Sequence, residues 1–227
     1  MVSSKSTSLD ALKSLQRLLI LFILANVCHE NAGWAVEKNT EERPNILFLF
    51  ADDWGRHASI LAKIDGAGGI NDVVQTPNFD KVASRGVIFR NAHVSAPSCT
   101  PCRSALLTGR HFWQTGTGSI LRGAVYDSSI PSFPPLLREQ GYCVGYSHKV
   151  WSPGTPANSP FTQDERFSKN GGRINQFSQT VTKLITKGTP SETAKLAILD
   201  EVRGNFRDML NSRKNNAPFC YLSLIHI

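Results

Sequence analysis

The stretch Pro44-Asn-Ile-Leu-Phe-Leu-Phe-Ala-Asp-Asp53 decides the fold. From Ile46 to Ala51 every residue is apolar. An unbroken apolar run of this length is typical of a strand that is buried on both faces in a parallel sheet. The run ends directly in two aspartates, and ligands of open α/β sheets bind beyond the carboxyl ends of the strands. We therefore predict a buried parallel strand with a functional site at Asp52 and Asp53.

Outward from this strand, strand patterns alternate with helix patterns along the chain. Thr76 and Pro77 have the residue types of a helix cap and first turn, and Gly86 ends that segment. Further strands are predicted at 87–94, at 142–148 and from Pro218, and further helices at 100–107, 134–140 and 191–213, with Ser191 as a cap and a Pro/Gly-rich loop at 151–172. The alternation predicts an α/β fold, a mostly parallel sheet with helices on both faces.

The composition is that of a globular protein. The chain has 227 residues, of which 41% are hydrophobic and 19% charged, which suffices for one large domain or two small ones. The formal net charge of +7 would attract sulfated sugars and nucleic acid equally, so the charge alone does not identify a partner. Because the sequence contains no run of Lys and Arg and no nucleic-acid-binding motif, we do not expect nucleic acid to be that partner.

The N-terminal segment predicts export. Basic residues precede a run of about ten apolar residues from Leu18 to Val27, the length of a signal-peptide core and about half the length of a membrane span. Gly33 and Ala35 place small residues at the two positions that a signal peptidase recognises. We predict a signal peptide at 1–35 and part of a globular domain at 36–227. The expected location is periplasmic or extracellular, or lysosomal in a eukaryote, without stable membrane insertion.

A second informative stretch is Cys99-Thr-Pro-Cys-Arg-Ser-Ala-Leu-Leu-Thr-Gly-Arg110. It places a thiol two residues before a proline and an arginine two residues after it, followed by a short apolar helix. This stretch resembles the signature of the type I sulfatases, Cys-x-Pro-x-Arg followed by Leu-x-Thr-Gly-Arg. The resemblance covers about residues 43–155 and Pro218 to Tyr221, and it implies the α/β fold of the alkaline phosphatase and sulfatase group.

The resemblance also implies the chemistry of the nucleophile. In that family a formylglycine-generating enzyme, or an anaerobic sulfatase-maturating enzyme, oxidises the cysteine to formylglycine. Cys99 is the matching residue, and its hydrated aldehyde is expected to attack sulfur with one hydroxyl and to expel sulfate with the second. Arg103 is expected to hold the oxygen of the nucleophile or the sulfate. The positive end of the helix that begins near Cys99 would stabilise the same anion.

The Asp pair and one lysine complete the site that the resemblance implies. Sulfatases carry an Asp-Asp pair near the mature N-terminus, so Asp52, Asp53 and the modified Cys99 are predicted to bind one Ca²⁺, a cation that prefers oxygen ligands. Lys149 matches the lysine of a Gly-Lys-x-His segment and is predicted to contact sulfate. Trp151 stands where that segment has histidine, although His148 lies nearby.

The predicted substrate is a sulfate ester or sulfamate of a sugar or glycosaminoglycan. Within the family, the segment 116–155 looks most similar to the sulfamidase-type enzymes, the heparan N-sulfatases. The later Asp and Asn or Gln calcium ligands of the family have no counterpart in this sequence. We therefore interpret the chain as the N-terminal part of a catalytic domain, and we expect it to bind calcium weakly and to turn over little.

Three alternatives remain open from the sequence. Cys99 and Cys102 form a Cys-x-x-Cys motif at a helix N-terminus, as in exported thiol–disulfide oxidoreductases, although Arg103 and the Asp pair have no purpose in that chemistry. A phosphodiesterase or alkaline phosphatase relative would carry a Ser or Thr nucleophile and more histidines around two zinc ions. The third alternative is an inactive sulfatase fragment.

Overall fold

A computed structural model describes residues 43–169 and 173–226. The chain divides into a segment Met1–Arg43 and a compact unit Pro44–Ile227, and the description below concerns the second. The predicted signal peptide therefore lies outside the described residues. Within the described ranges, no helix combines the length and the apolarity that crossing a membrane requires.

The described part contains a three-stranded parallel sheet and six α-helices. The strand order is β1-β3-β2, so that the last strand of the chain lies in the centre. The strands are β1 (Ile46–Asp52), β2 (Cys143–His148) and β3 (Phe219–His226), and the helices are α1 (Ser59–Asp65), α2 (Pro77–Ala83), α3 (Cys99–Thr108), α4 (Phe133–Glu139), α5 (Phe177–Thr186) and α6 (Ser191–Ser212). The predicted α/β class with a parallel sheet is confirmed.

Helices pack on both faces of the sheet because the central strand β3 is apolar on both sides. Leu222 and Leu224 point to one face, where they pack with Leu107 of α3, and Leu137 of α4 borders the same cluster. Tyr221 points to the opposite face and packs with residues of α6. This alternation follows from the two-residue period of a strand. The prediction of helices on both faces is confirmed.

The prediction that β1 is buried on both faces is wrong. Phe48 and Phe50 pack against the cluster beneath α3 and α4, but Leu47 and Leu49 on the other face are 48% and 65% exposed. The α6 residues on that face contact β2 and β3. An unbroken apolar run encodes two apolar faces, but it does not specify which neighbouring element covers each of them.

The strand predicted at 87–94 is also absent, since these residues form turns and irregular backbone. Val87 and Phe89 are 80% and 78% exposed. A strand requires a neighbour that pairs with it, and strand propensity depends strongly on that context. None of the three described strands pairs with this segment, so its apolar alternation does not produce a strand.

The helix predictions are confirmed to within a few residues for α2, α3, α4 and α6. α2 begins after Thr76 with Pro77 in its first turn, as predicted. The cap position of α6 is Pro190, and Ser191 is the first helical residue. The helix α5 was not expected from the sequence, and its Val181 packs against Ala194 and Ile198 of α6.

Candidate active site

The two aspartates border one cavity because the chain turns sharply between them. Asp52 is the last residue of β1. Asp53 has φ 60, a left-handed conformation that few residues other than glycine adopt and that Asp tolerates better than most. In a continuing strand the two side chains would point to opposite faces. The turn instead places both residues in the lining of the same cavity.

Cys99 is the first residue of α3 and lines this cavity as well. Ser98 before it has extended backbone angles, and its carbonyl accepts the first helical hydrogen bond, from the Cys102 N–H at 2.8 Å. Gly109 ends the helix in the left-handed conformation, at φ 67. Residue 99 therefore lies at the positive end of a ten-residue helix, where an anion is stabilised.

The fully buried Thr100 fixes the start of α3 against the rest of the domain. Its hydroxyl lies 3.1 Å from the carbonyl oxygen of Leu121 and 3.2 Å from that of Trp151. The Thr100 hydroxyl oxygen itself accepts a hydrogen bond from the Gly154 N–H at 3.3 Å. The sequence analysis assigned Thr100 no role. A hydroxyl residue between Cys99 and Pro101 is the signal that could have indicated one.

Asp52, Arg103 and Lys149 form a buried charge network next to Cys99. Asp52 Oδ2 accepts hydrogen bonds from Lys149 Nζ at 2.6 Å and from Arg103 Nη2 at 2.9 Å. The Arg103 side chain is 1% exposed, and those of Asp52 and Lys149 are 13% and 14% exposed. Lys149 Nζ also lies 3.6 Å from Cys99 Sγ, and Arg103 Nη1 donates to the Ser152 carbonyl. The structure thus brings all the predicted catalytic residues together around Asp52.

His148 and Lys149, at the end of β2, have different surroundings. His148 has φ 66, which turns it from the regular alternation of the strand. Burial lowers the pKa of His148, and Glu201 of α6 acts against that shift. His148 is therefore close enough to α6 to be influenced by the charge of Glu201, whereas Lys149 contacts Cys99 and Asp52.

Trp151, which stands at the position of the family histidine, does not reach the cavity. It is 1% exposed and packs in the cluster beneath α3, with its indole N–H 3.4 Å from the Ala124 carbonyl oxygen. His57 and His111 are exposed and are not among the described residues that line the cavity. Neither His57 nor His111 therefore takes the place of the histidine that the resemblance predicts at position 151.

The cavity has a volume of about 280 Å³. Its lining combines four of the five predicted site residues with neighbours that the sequence did not single out, whereas Lys149 is not among the lining residues. It is lined by Phe50, Ala51, Asp52, Asp53, Trp54, Val94, Ala96, Pro97, Ser98, Cys99, Cys102 and Arg103. Trp54 follows the Asp pair directly, and its indole N–H donates to the His57 carbonyl at 2.8 Å. Its position beside two carboxylates is the sequence signal for its place in the site.

Asp52 and Asp53 provide part of a ligand set for a hard divalent cation. Ca²⁺ takes about six to eight oxygen ligands, and the cavity offers two carboxylates. The described residues contain no group of three or more His, Cys, Asp or Glu side chains that could hold a metal. The chemistry of the Asp pair fits a calcium site, but the described residues do not complete its coordination.

Comparison with known proteins identifies the family. The family model for Sulfatase matches residues 44–225, which include both the Asp pair and the Cys99 helix. The chain belongs to the sulfatase family.

Several curated sulfatases are similar to this chain over parts of its length. A sulfatase of Formosa agariphila is 30% identical over 170 residues, which are 70% of this chain and 30% of the relative. Human steryl-sulfatase is 33% identical over 135 residues, or 56% of this chain and 22% of the relative. Human N-sulphoglucosamine sulphohydrolase is 30% identical over 143 residues, or 62% of this chain and 26% of the relative.

The comparisons confirm the sulfatase family but do not distinguish the predicted sulfamidase-type subgroup. Relatives whose names indicate different substrates have similar identities to this chain. The chain spans between about a fifth and a third of the length of these relatives. The activity of a whole sulfatase is therefore a proposal for this chain.

Proposed function

We propose that this sulfatase chain carries the nucleophile side of an active site that hydrolyses sulfate esters or sulfamates of carbohydrates. The observation that supports this function is the contact network at the start of α3. Arg103 and Lys149 both bind Asp52, and Lys149 also contacts Cys99, which opens to the cavity. A nucleophile precursor beside two cations is suited to an anionic substrate.

In this proposal Cys99 becomes the nucleophile after a maturation enzyme converts it to formylglycine, whose hydrate carries two hydroxyls on one carbon. Arg103 is held by Asp52 and Ser152, so its permanent charge is fixed beside the nucleophile without reorganisation. Lys149 approaches position 99 directly and would stabilise negative charge on the sulfate oxygens. The N-terminus of α3 adds backbone N–H groups to the same anion site.

The proposed cofactor is one Ca²⁺ ion, held in part by Asp52, Asp53 and the converted residue 99. When bound, such a cation supplies Lewis-acid stabilisation of the developing negative charge. Arg103 and Lys149 already bind the Oδ2 atom of Asp52, so a divalent cation must compete with two positive groups for that carboxylate. We therefore propose that the described residues alone bind Ca²⁺ weakly.

Calorimetric titration tests the calcium proposal. The unmodified chain should show weak binding of Ca²⁺, and Lys149→Met should bind it more tightly because one competing cation is removed. Asp53→Asn is the matched control, since it removes a carboxylate and should weaken binding further. A tight stoichiometric site in the wild-type chain, unaffected by either substitution, contradicts this assignment.

The proposed substrate is a sulfated sugar or glycosaminoglycan, and the proposed location is outside the cytoplasm. The positive net charge of +7 supports a polyanionic substrate. Similarity to relatives named for N-sulfated and for 6-O-sulfated amino sugars supports a substrate whose sulfate group is attached to a carbohydrate. The apolar run at 18–27 supports export through a signal peptide.

Peptide mass spectrometry tests the nucleophile. The chain is co-produced with a formylglycine-generating enzyme or an anaerobic sulfatase-maturating enzyme, with Cys99→Ala as the control that cannot be converted. We expect an aldehyde at position 99 of the wild-type chain. Only unmodified thiol at Cys99, in cells where a reference sulfatase peptide is converted, overturns the proposal. Hydrolysis of aryl sulfate over aryl phosphate by the converted chain would extend the result to activity.

A further inference from the structure

The cavity presents two thiols that are one helical turn apart. Cys99 and Cys102 are the first and fourth residues of α3, and both are half-buried free thiols in the cavity lining. From the rise and pitch of an α-helix, Cα atoms three residues apart are about 5 Å from each other. Disulfide-bonded cysteines have Cα separations of about 4.4–6.8 Å. The Cα separation of the two cysteines therefore lies within the range found for disulfide-bonded cysteines.

One of the two residues between them, Pro101, keeps this turn rigid. Pro101 is in the first turn of α3, where its missing N–H has no intrahelical acceptor and its fixed φ suits the helix. The Cys102 N–H donates to the Ser98 carbonyl at 2.8 Å. Because the backbone between the thiols is already ordered, closing a bond between them costs little conformational entropy.

The other two described cysteines are not placed to compete for this bond. Cys220 is fully buried beneath α3 and α4, and burial raises its pKa to about 11. Cys143 packs on the opposite face of the sheet, near Phe219 and Met209. Both residues serve as internal controls for thiol reactivity.

We propose that Cys99 and Cys102 form a reversible disulfide that prevents conversion of Cys99 to formylglycine until it is reduced. The blocking role rests on the proposed function, whereas formation of the disulfide does not. The oxidant is a small-molecule disulfide of the glutathione type. The protein disulfide forms from it through two successive thiol–disulfide exchanges.

In the first exchange, the Cys99 thiolate attacks one sulfur of the oxidant and releases one small thiol. In the second, Cys102 loses its proton and attacks the Cys99 sulfur, which releases the second small thiol. Two protein S–H bonds and one oxidant S–S bond are thus replaced by one protein S–S bond and two small-molecule S–H bonds. Burial raises the pKa of Cys102, which lowers its thiolate fraction and disfavours it as the first thiol to attack, because the thiolate is the reactive form.

The disulfide and the aldehyde exclude each other at residue 99. A sulfur bonded to Cys102 is no longer the free thiol on which maturation acts. After conversion, residue 99 has no sulfur, and Cys102 has no partner one turn away. The disulfide therefore regulates only the chain that has not yet been converted. Its reduction is the step that allows the maturation enzyme to act on Cys99.

Redox titration followed by mass spectrometry tests the disulfide. The full chain, produced without a maturation enzyme, is equilibrated in glutathione buffers, quenched in acid, alkylated under denaturing conditions and digested. The peptide 91–103 contains both cysteines. We expect the wild-type peptide to lose two hydrogens and to take up no alkyl group, while Cys143 and Cys220 are alkylated. Cys102→Ser should instead carry a glutathione adduct on Cys99.

Equal glutathione adducts on Cys99 in wild type and Cys102→Ser, without the internally oxidised peptide, overturn the disulfide. A second arm adds the maturation enzyme to oxidised wild type, reduced wild type and Cys102→Ser. The proposal expects conversion of the last two only, and equal conversion of oxidised wild type overturns the blocking role. Failure of all three to convert contradicts the proposed function and leaves the measured disulfide unaffected.

Discussion

Asp52 is predicted to be the residue on which the stability of the site depends most. Its carboxylate binds two buried cations, Arg103 at 2.9 Å and Lys149 at 2.6 Å. An ion pair with its charges about 4 Å apart is worth about 4 kcal/mol at an effective dielectric constant of about 20, and desolvation offsets part of this. Removing one partner of a buried pair costs about 3–5 kcal/mol, because it leaves an uncompensated charge. We expect Asp52→Asn to lower the free energy of unfolding by that amount.

A double-mutant cycle with Lys149→Met separates this charge effect from general damage. In the wild-type background the lysine substitution should cost about 1.5–3 kcal/mol, the usual value of a hydrogen bond to a charged group. In the Asp52→Asn background it should be neutral or stabilising, because Lys149 then faces Arg103 without an intervening negative charge. The expected coupling is about 2 kcal/mol or more, within the range for residues in direct contact.

Urea unfolding followed by circular dichroism measures all four variants, provided that the m-value is unchanged. Because the pairs are largely buried, the coupling should persist at high ionic strength, where exposed pairs are screened. If Lys149→Met costs the same in both backgrounds, the two cations are not coupled through Asp52 and the argument fails.

Three further predictions concern stability. Burial raises the pKa of Cys220 from 9.0 to about 11, so between pH 9 and 11 the folded chain binds more protons than the unfolded chain. The contribution of this thiol to the free energy of unfolding is complete below pH 9 and should fall by about 2–3 kcal/mol as the pH approaches 11. Melting measured across this pH range should show a smaller loss of stability for Cys220→Val than for the wild-type chain. Burial lowers the pKa of His148 below 6.5. Its contribution to the free energy of unfolding is therefore present above pH 6.5 and is lost as the pH falls through the folded-state pKa. In the same melting assay, the stability of His148→Gln should depend less on acid pH than that of the wild-type chain. Thr100→Val should cost about 1–3 kcal/mol in urea unfolding because it leaves buried backbone groups unpaired, whereas Thr108→Val, whose hydroxyl bonds to the Ser104 carbonyl within the same helix, should cost less.

Local features of the structure were predictable from the sequence because their causes are local. The helix predicted at 100–107 is observed as α3 (Cys99–Thr108), and Gly109 ends it as the sequence indicates. The turn that aims Asp52 and Asp53 at one cavity follows from an aspartate pair directly after a strand. These features require only neighbours within a few residues along the chain.

Features that depend on distant neighbours were not predictable in the same way. The apolar run of β1 indicates two apolar faces, but the exposure of Leu49 depends on where α6 packs, about 150 residues later. The alternation at 87–94 suits a strand, but pairing depends on the order of the other strands. Trp151 is buried where its indole N–H contacts the Ala124 carbonyl. No pattern in the sequence around residue 151 indicates this contact.

The sheet topology explains why the partner of Asp52 directly after β2 is a lysine. β1 and β2 are both hydrogen-bonded to β3 and not to each other, so their backbones are about 10 Å apart. The Lys149 N–H donates to the Leu224 carbonyl at 3.1 Å and so extends the pairing of β2 with β3 by one residue. At this place only a long side chain spans the width of the central strand to reach the short carboxylate of Asp52. The parallel arrangement brings the carboxyl ends of both strands to one edge, and the length of lysine closes the remaining gap beside Cys99.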